Sequence, residues 1–383
     1  MKWQTALALL LSLTTARAVI LFRTDAADAN TSAPDLAFPH DGWDFEGTYG
    51  FFLGTPIAPH FFVTAKHVSG GVGSVLTFQG VNYSAIRDYR DPTSDLDILE
   101  VSGTFPYFAA LYAKQDEPGK RIVDIGRGTE RGDPIDYNND LTQLRGWSHG
   151  AGLHTQRWGE NIVAGAFTYQ PDWDLLQADF DKNGLPNECH LSSGDSGGAA
   201  FIDDGGVWKL AGINYAIDDG FYMQPDATTV FNGALFDLRG FYVRSGGGFM
   251  QIDLNGPPVP TSFYPTRIST KLSWIYRVID PTGDYDGDGR PNLLQYAEQI
   301  NEPLTGAWSS PTVAIGSGYV SLTYRKISRT SLQYQIDQSS DLVSWTAAAP
   351  NEIVRGTNED VQTIEAQVPT GSSALFLRLR ITQ

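Results

Sequence analysis

The 383-residue sequence predicts an all-β fold. Across residues 19–245, short apolar runs such as 73–78 and 121–125 alternate with turns rich in Gly, Asp, Asn and Pro. Residues 319–324 and 332–336 alternate apolar and polar side chains with period two, as half-buried strands do. Residues 374–381 read as a closing strand, and helical signal is confined to a short stretch around Leu293, Leu294 and Ala297.

At the start of the chain, Lys2, the apolar run 6–13 and Ala16-Arg17-Ala18 form the charged, apolar and small-x-small parts of a secretory signal. Residues 1–18 are therefore expected to be removed on export. That run is too short for a membrane span, and no later segment is long and apolar enough. The product is expected outside the cytoplasm, secreted or periplasmic, without a membrane partner. A net charge of −17 makes nucleic acid and anionic lipid poor partners. The single cysteine, Cys189, excludes internal disulfides, and it reads as a buried small hydrophobe or a free thiol. Core packing must hold the fold, and a chain of this length buries enough surface to do so.

Three segments carry chemistry. Residues 61–68 read Phe-Phe-Val-Thr-Ala-Lys-His-Val, an apolar strand ending at His67. A serine hydroxyl is a weak nucleophile at neutral pH and needs such a base. Residues 94–101 read Ser-Asp-Leu-Asp-Ile-Leu-Glu-Val, an apolar strand opened by acids. A buried carboxylate there would fix the histidine tautomer. Residues 194–198 read Gly-Asp-Ser-Gly-Gly, and glycine lets the backbone turn tightly beneath a reacting carbonyl. The N–H groups of Gly194 and Ser196 would then stabilise charge on its oxygen.

In the order His, Asp, Ser, these segments resemble the chymotrypsin-like (trypsin-fold) serine proteases. That family carries Thr-Ala-Ala-His, Asp-Ile/Leu-Ala-Leu-Leu and Gly-Asp-Ser-Gly-Gly. Gly54-Thr55-Pro56-Ile57 and Leu210-Ala211-Gly212-Ile213 extend the resemblance over residues 19–245. It implies two six-stranded barrels within residues 19–262 and a cleft between them. Ser196 matches the nucleophile, His67 the general base and acid, and Asp95 the orienting carboxylate, with Asp97 as the alternative. Gly194 and Ser196 match the oxyanion hole. The expected reaction is peptide-bond hydrolysis through an acyl-enzyme, on a protein or peptide substrate, with no cofactor for catalysis. The missing disulfides argue for a bacterial enzyme. Asp97 departs from the family's small or apolar residue and reads as a solvated strand-edge side chain. Lys66, beside His67, reads as a cation pointing to solvent. The rival reading is an inactive or weakly active secreted binding or adhesion protein built on a protease fold.

The resemblance also bears on specificity and activation. The residue six before the serine, which lies at the pocket base in the family, is His190 rather than the aspartate of Lys/Arg-specific members. A protonated histidine there would favour acidic side chains. Tyr215-Ala216-Ile217 replaces Ser-Trp-Gly on the pocket wall, and Ile217 narrows it. Family members commonly switch on when a new apolar N-terminal ammonium pairs with the aspartate before the nucleophile. Here that aspartate is Asp195, and signal removal would expose Val19-Ile20-Leu21. Export itself would then create the activating terminus. The alternative makes residues 19–23 an edge strand, with Asp195 paired elsewhere, for instance to Arg23.

Residues 263–303 are expected to form a linker, preceded by Pro257-Pro258-Val259-Pro260 as a linker or stiff crossover. Within it, Asp284-Tyr285-Asp286-Gly287-Asp288-Gly289-Arg290 places oxygen ligands at alternate positions, as calcium loops do. Asp284, Asp286 and Asp288 are the expected ligands of a structural calcium, with the Arg290 carbonyl contributing and Asn292 nearby. Gln295 stands where an EF-hand supplies a bidentate Glu, which weakens the site. The related run 179–184 reads as a surface turn. Residues 304–383 resemble the small C-terminal β-sandwich modules of secreted bacterial proteins. Such a module implies contact with a cell surface or glycan, with Trp345 either a binding platform or a core residue.

Overall fold

The computed structural model describes residues 18–34, 42–137, 140–152, 154–170, 173–226, 228, 230–284, 287, 289–298, 311–327, 332–358, 361–371 and 375–382. The expected signal therefore lies outside the described residues, apart from Ala18. The chain divides into two compact units, Met1–Asp88 with Ser94–Ser269, and Tyr89–Thr93 with Thr270–Gln383. Among the described residues, no helix is long and apolar enough to cross a membrane.

The first unit contains two closed six-stranded barrels, as the motifs imply. One closes through Gly47–Tyr49, Phe52–Ala58, Phe61–Ala65, Leu96–Val101, Val81–Arg90 and Val75–Phe78. Its interior is aromatic and aliphatic: Phe62, Leu76, Phe78, Leu99, Val101 and Phe105 are all buried. The other closes through Arg157–Gln170, Trp173–Asp179, Ser262–Arg267, Trp208–Ile217, Ala199–Asp203 and Arg121–Gly126. Ile122, Val163, Leu176, Cys189, Ala200 and Phe263 fill its core, so Cys189 is a buried free thiol. Closure leaves neither barrel with an unpaired edge.

The last barrel strand is Ser262–Arg267, so the boundary expected at residue 262 falls inside the fold. Pro265 obscured that strand, because proline is rare between two paired neighbours. Here Pro265 lies opposite Asn214, where the register shifts by a bulge. The Pro-rich run 257–260 is a crossover within the first unit, with the Val259 carbonyl accepting the Leu238 N–H at 2.7 Å.

Two long insertions depart from the plain barrel. The hairpin Thr129–Tyr137 and Asp140–Gly152 pairs with Gly233–Leu235. A second small sheet is built from Val230–Phe231, Phe221–Tyr222, Tyr242–Ser245 and Gly248–Gln251. Ile135, Phe221, Leu235, Leu238 and Phe241 give this lobe its own core. The lobe also grips the N-terminal segment. Phe22 meets the rings of Trp147, Phe180 and Phe236 at 5.5, 5.8 and 5.5 Å. Arg131 donates to the Leu21 and Phe22 carbonyls at 3.2 and 3.0 Å.

The second unit holds the helices Leu272–Ile279 and Asn292–Ala297 and two sheets. One sheet orders Thr312–Gly316, Tyr319–Ile327, Val361–Pro369 and Asn351–Asn358. The other orders Thr346–Ala347, Gln333–Ser339 and Phe376–Thr382. Leu322, Tyr324, Ile336, Ile364, Ala366 and Val368 form the core of this sandwich. Trp345 lies outside that core. Its indole N–H donates to the Leu342 carbonyl at 3.2 Å, and Arg378 covers the ring at 4.3 Å. It is therefore neither the buried core residue nor an open platform.

Candidate active site

His67 lies on a single 3₁₀ turn, Lys66–Val68, directly after the buried strand Phe61–Ala65. Asp95 precedes the strand Leu96–Val101, which pairs with that same strand. The pairing brings the two residues together: the Lys66 N–H donates to the Asp95 carbonyl at 2.7 Å. The Asp95 side chain, 3% exposed, accepts the His67 backbone N–H at 3.1 Å and meets its Nδ1 at 2.5 Å. A carboxylate accepts only, so Nδ1 carries the proton and Nε2 is left as the basic nitrogen. Nε2 stands 2.9 Å from the Ser196 hydroxyl. The implied triad is thus continuous, with two members from the first barrel and the third from the loop before Ala199–Asp203.

Asp97 takes no part in this line. It is fully buried, not solvated, because its strand lies between two neighbours in a closed barrel and has no edge. The Lys66 ammonium does not point freely to solvent either; it donates to the Ser94 carbonyl, beside Asp95.

The loop carrying Ser196 is held by backbone bonds within itself and to the strand Trp208–Ile217. Asp195 N–H donates to the Ser192 carbonyl at 3.1 Å, Gly197 N–H to Asn214 at 3.0 Å, and Gly198 N–H to Asp195 at 3.2 Å. Among the described residues, the Gly194 and Ser196 N–H groups enter no such backbone bond. Gly194 has φ +98°, a conformation that strains any other residue, and a Cβ there would lie 3.0 Å from Gly128 Cα.

Asp195 is buried behind the loop. Its carboxylate accepts the Ser192 N–H at 2.7 Å, the Gly128 N–H at 2.6 Å and the Ser192 hydroxyl at 2.9 Å. The Val19 backbone N–H also reaches it. Burial nevertheless pushes its pKa up to about 6. Val19 and Ile20 are fully buried, and Val19 holds φ +47°. Ile20–Leu21 pairs with Cys189–His190. The N-terminal segment is therefore a paired strand, as the second alternative expects, and it also brings the Val19 peptide N–H to Asp195. Arg23 donates instead to the Gly184 carbonyl at 3.4 Å.

A cavity of about 320 Å³ opens at Ser196. Tyr215, Ala216 and Ile217 line it, together with Leu191, Ser192 and Ser193, which sequence reasoning did not single out. His190 does not line it. That residue is fully buried between Phe180 and Phe263, with ring separations of 5.7 Å to each. Burial pushes its pKa down to about 4, so it is neutral and offers no charge to an acidic side chain. Two further residues of the lining, Asn214 and Asp219, were missed. Asn214 carried a signal: it is the polar interruption of the apolar run Leu-Ala-Gly-Ile-Asn-Tyr-Ala-Ile.

Of the expected calcium ligands, Asp286 and Asp288 lie outside the described residues. Asp284 accepts the Gly287 and Gly289 N–H groups at 2.8 and 2.7 Å. Arg290 is buried, and the Asn292 amide donates to the Asp280 carbonyl at 2.7 Å.

No family model matches the chain, and no curated protein does. Solved structures do. The inactive form of the Rv3671c protease is 18% identical, with TM-score 0.31, over 48% of this chain and 86% of that one. The active form, from M. tuberculosis, is 20% identical, with TM-score 0.29, over 47% and 67%. An inactive Ser343Ala mutant from M. tuberculosis H37Rv is 16% identical, with TM-score 0.35, over 66% and 98%. The two closed barrels and the site geometry above do not rest on these likenesses.

Proposed function

We propose that this protein is a serine endopeptidase. One observation carries the reading: Asp95, His67 and Ser196 form an unbroken hydrogen-bonded line at the mouth of a cavity. Ser196 Oγ attacks a peptide carbonyl while His67 Nε2 takes its proton. The Gly194 and Ser196 N–H groups stabilise the oxyanion, and Asp95 holds the imidazolium. His67 returns the proton to the leaving amine, and water then attacks the acyl-enzyme by the same base. The chemistry requires no metal or cofactor.

The cavity favours an uncharged, aliphatic side chain next to the cut bond. Leu191, Ala216 and Ile217 supply apolar wall, His190 is neutral and sealed off, and the Asp195 carboxylate is already satisfied. Asp219 is exposed, where an ion pair contributes little. Ile217→Gly should widen the preference toward larger residues.

Regulation follows from Val19. Removal of residues 1–18 on export frees an ammonium at the atom that already meets Asp195. Secretion and activation then become one event. The Asp284 loop takes a structural calcium that steadies the second unit, and the C-terminal sandwich contacts a cell surface or glycan. Turnover of a peptide library by the protein lacking residues 1–18, and its loss in Ser196→Ala, tests the reading. Equal turnover by both would reject it.

A further inference from the structure

Behind the nucleophile loop lies a buried polar pair outside the triad. Asp124, on Arg121–Gly126, is fully buried, and Asn214, on Trp208–Ile217, is 1% exposed. Asn214 touches the nucleophile loop twice through its backbone. Its carbonyl accepts the Gly197 N–H at 3.0 Å, and its N–H donates to the Gly198 carbonyl at 2.8 Å. Its side-chain amide points the other way, donating to Asp124 Oδ1 at 2.8 Å and to the Ile125 carbonyl at 3.1 Å. The register shift between Asn214 and Ala216 marks a bulge, a device that re-aims a side chain locally. One residue therefore couples the loop carrying Ser196 to the wall of the second barrel.

We propose that Asp124 and Asn214 are positioning residues for the nucleophile, a buried pair that fixes where the Ser196-Gly197-Gly198 backbone sits against His67. The inference rests on the hydrolytic reading above. Asp124 plays this part as the acceptor, through Oδ1, of the Asn214 amide. Burial raises its pKa well above the ordinary carboxylate range, the Asn214 hydrogen bond opposes that shift, and the neighbouring carboxylates of Asp195 and Glu46 add to it. Cys189, the other titratable group facing it, is held as a neutral thiol by burial. An acceptor at Oδ1, charged or not, is all that the Asn214 amide requires. An apolar residue at position 124 leaves that buried donor unpaired and frees the strand to shift.

The test compares Asp124→Leu with Asp124→Asn, in the protein lacking residues 1–18, by kcat and KM and by thermal melting. Asp124→Leu should lower kcat roughly 10- to 100-fold, with KM changed less than about threefold, as loss of a buried partner without loss of substrate contacts predicts. Asp124→Asn, which supplies the same acceptor, should recover most of that rate. Asp124→Ala carries the same comparison where leucine overpacks the site. Equal losses in the asparagine and apolar variants would overturn the proposal, because an ionised carboxylate would then be needed. Unchanged kcat in the apolar variants, or a loss seen only in KM, would overturn it too. Absence of any turnover by the parent protein would instead remove the hydrolytic reading, and the positioning role with it.

Discussion

Adding one alanine before Val19 should disable the protein without touching the triad. In the chain described here, Val19 offers Asp195 a neutral peptide N–H, and burial holds the carboxyl near a pKa of about 6 against an ordinary 3.8. Keeping it ionised at neutral pH therefore costs about 3 kcal/mol, from a shift of roughly two units. A free ammonium at Val19 removes that cost; an extended terminus does not. About 3 kcal/mol is on the order of a 10²-fold deficit in the ordered nucleophile loop, so kcat/KM should fall by about that factor. The pH dependence has a definite sign. A carboxyl whose folded pKa is raised stabilises fully below 3.8, and that contribution is lost as pH rises through about 6. The extended form should therefore lose melting temperature between pH 4 and 7 relative to the form starting at Val19. Matched kinetics and melting curves on the two forms decide the point. Equal kcat/KM, or parallel melting curves across that window, would refute the reasoning.

Three further outcomes are expected. Asp95→Ala should reduce kcat by on the order of 10⁴-fold through loss of the His67 tautomer and orientation, while Asp97→Ala should act on stability; a larger kinetic loss for Asp97 would reverse their roles. Glu46 is buried against Thr55, and desolvation pushes its pKa up to about 8. Its contribution is full below 4.5 and is lost as pH rises through 8, so Glu46→Gln should flatten the stability profile and melt higher at pH 8.5, by on the order of 3–5 kcal/mol; an unchanged profile would show that Glu46 ionises freely. Chelator should lower the melting temperature and millimolar calcium should restore it, with kcat unaffected; an unchanged melting curve and no heat of calcium binding would remove that site.

The hydrogen-bonded line of Asp95, His67 and Ser196 was legible in the sequence because each residue sits at the end of a short apolar strand with a compact polar signature. Barrel closure then brought the ends together. The pocket was less legible. The spacing of His190 from Ser196 points to the pocket base, yet spacing does not say which way a strand side chain points, and this one faces Phe180 and Phe263. Asp97 was misjudged for a related reason: alternation cannot tell an edge strand from one paired on both sides. Pro265 concealed the last barrel strand. The inserted lobe has no signature of its own, since its short strands and turns look like those of the barrels. The rings around Phe22 come from residues 147 and 236 and from Phe180, next to a barrel strand, and no local pattern connects them.

The most direct measurement is the site of covalent modification by a fluorophosphonate, read by peptide mass spectrometry on the protein starting at Val19. The account predicts one adduct, on Ser196, absent in Ser196→Ala and formed far more slowly in His67→Ala. No adduct on the parent protein, or one at another residue with turnover intact in Ser196→Ala, would contradict it.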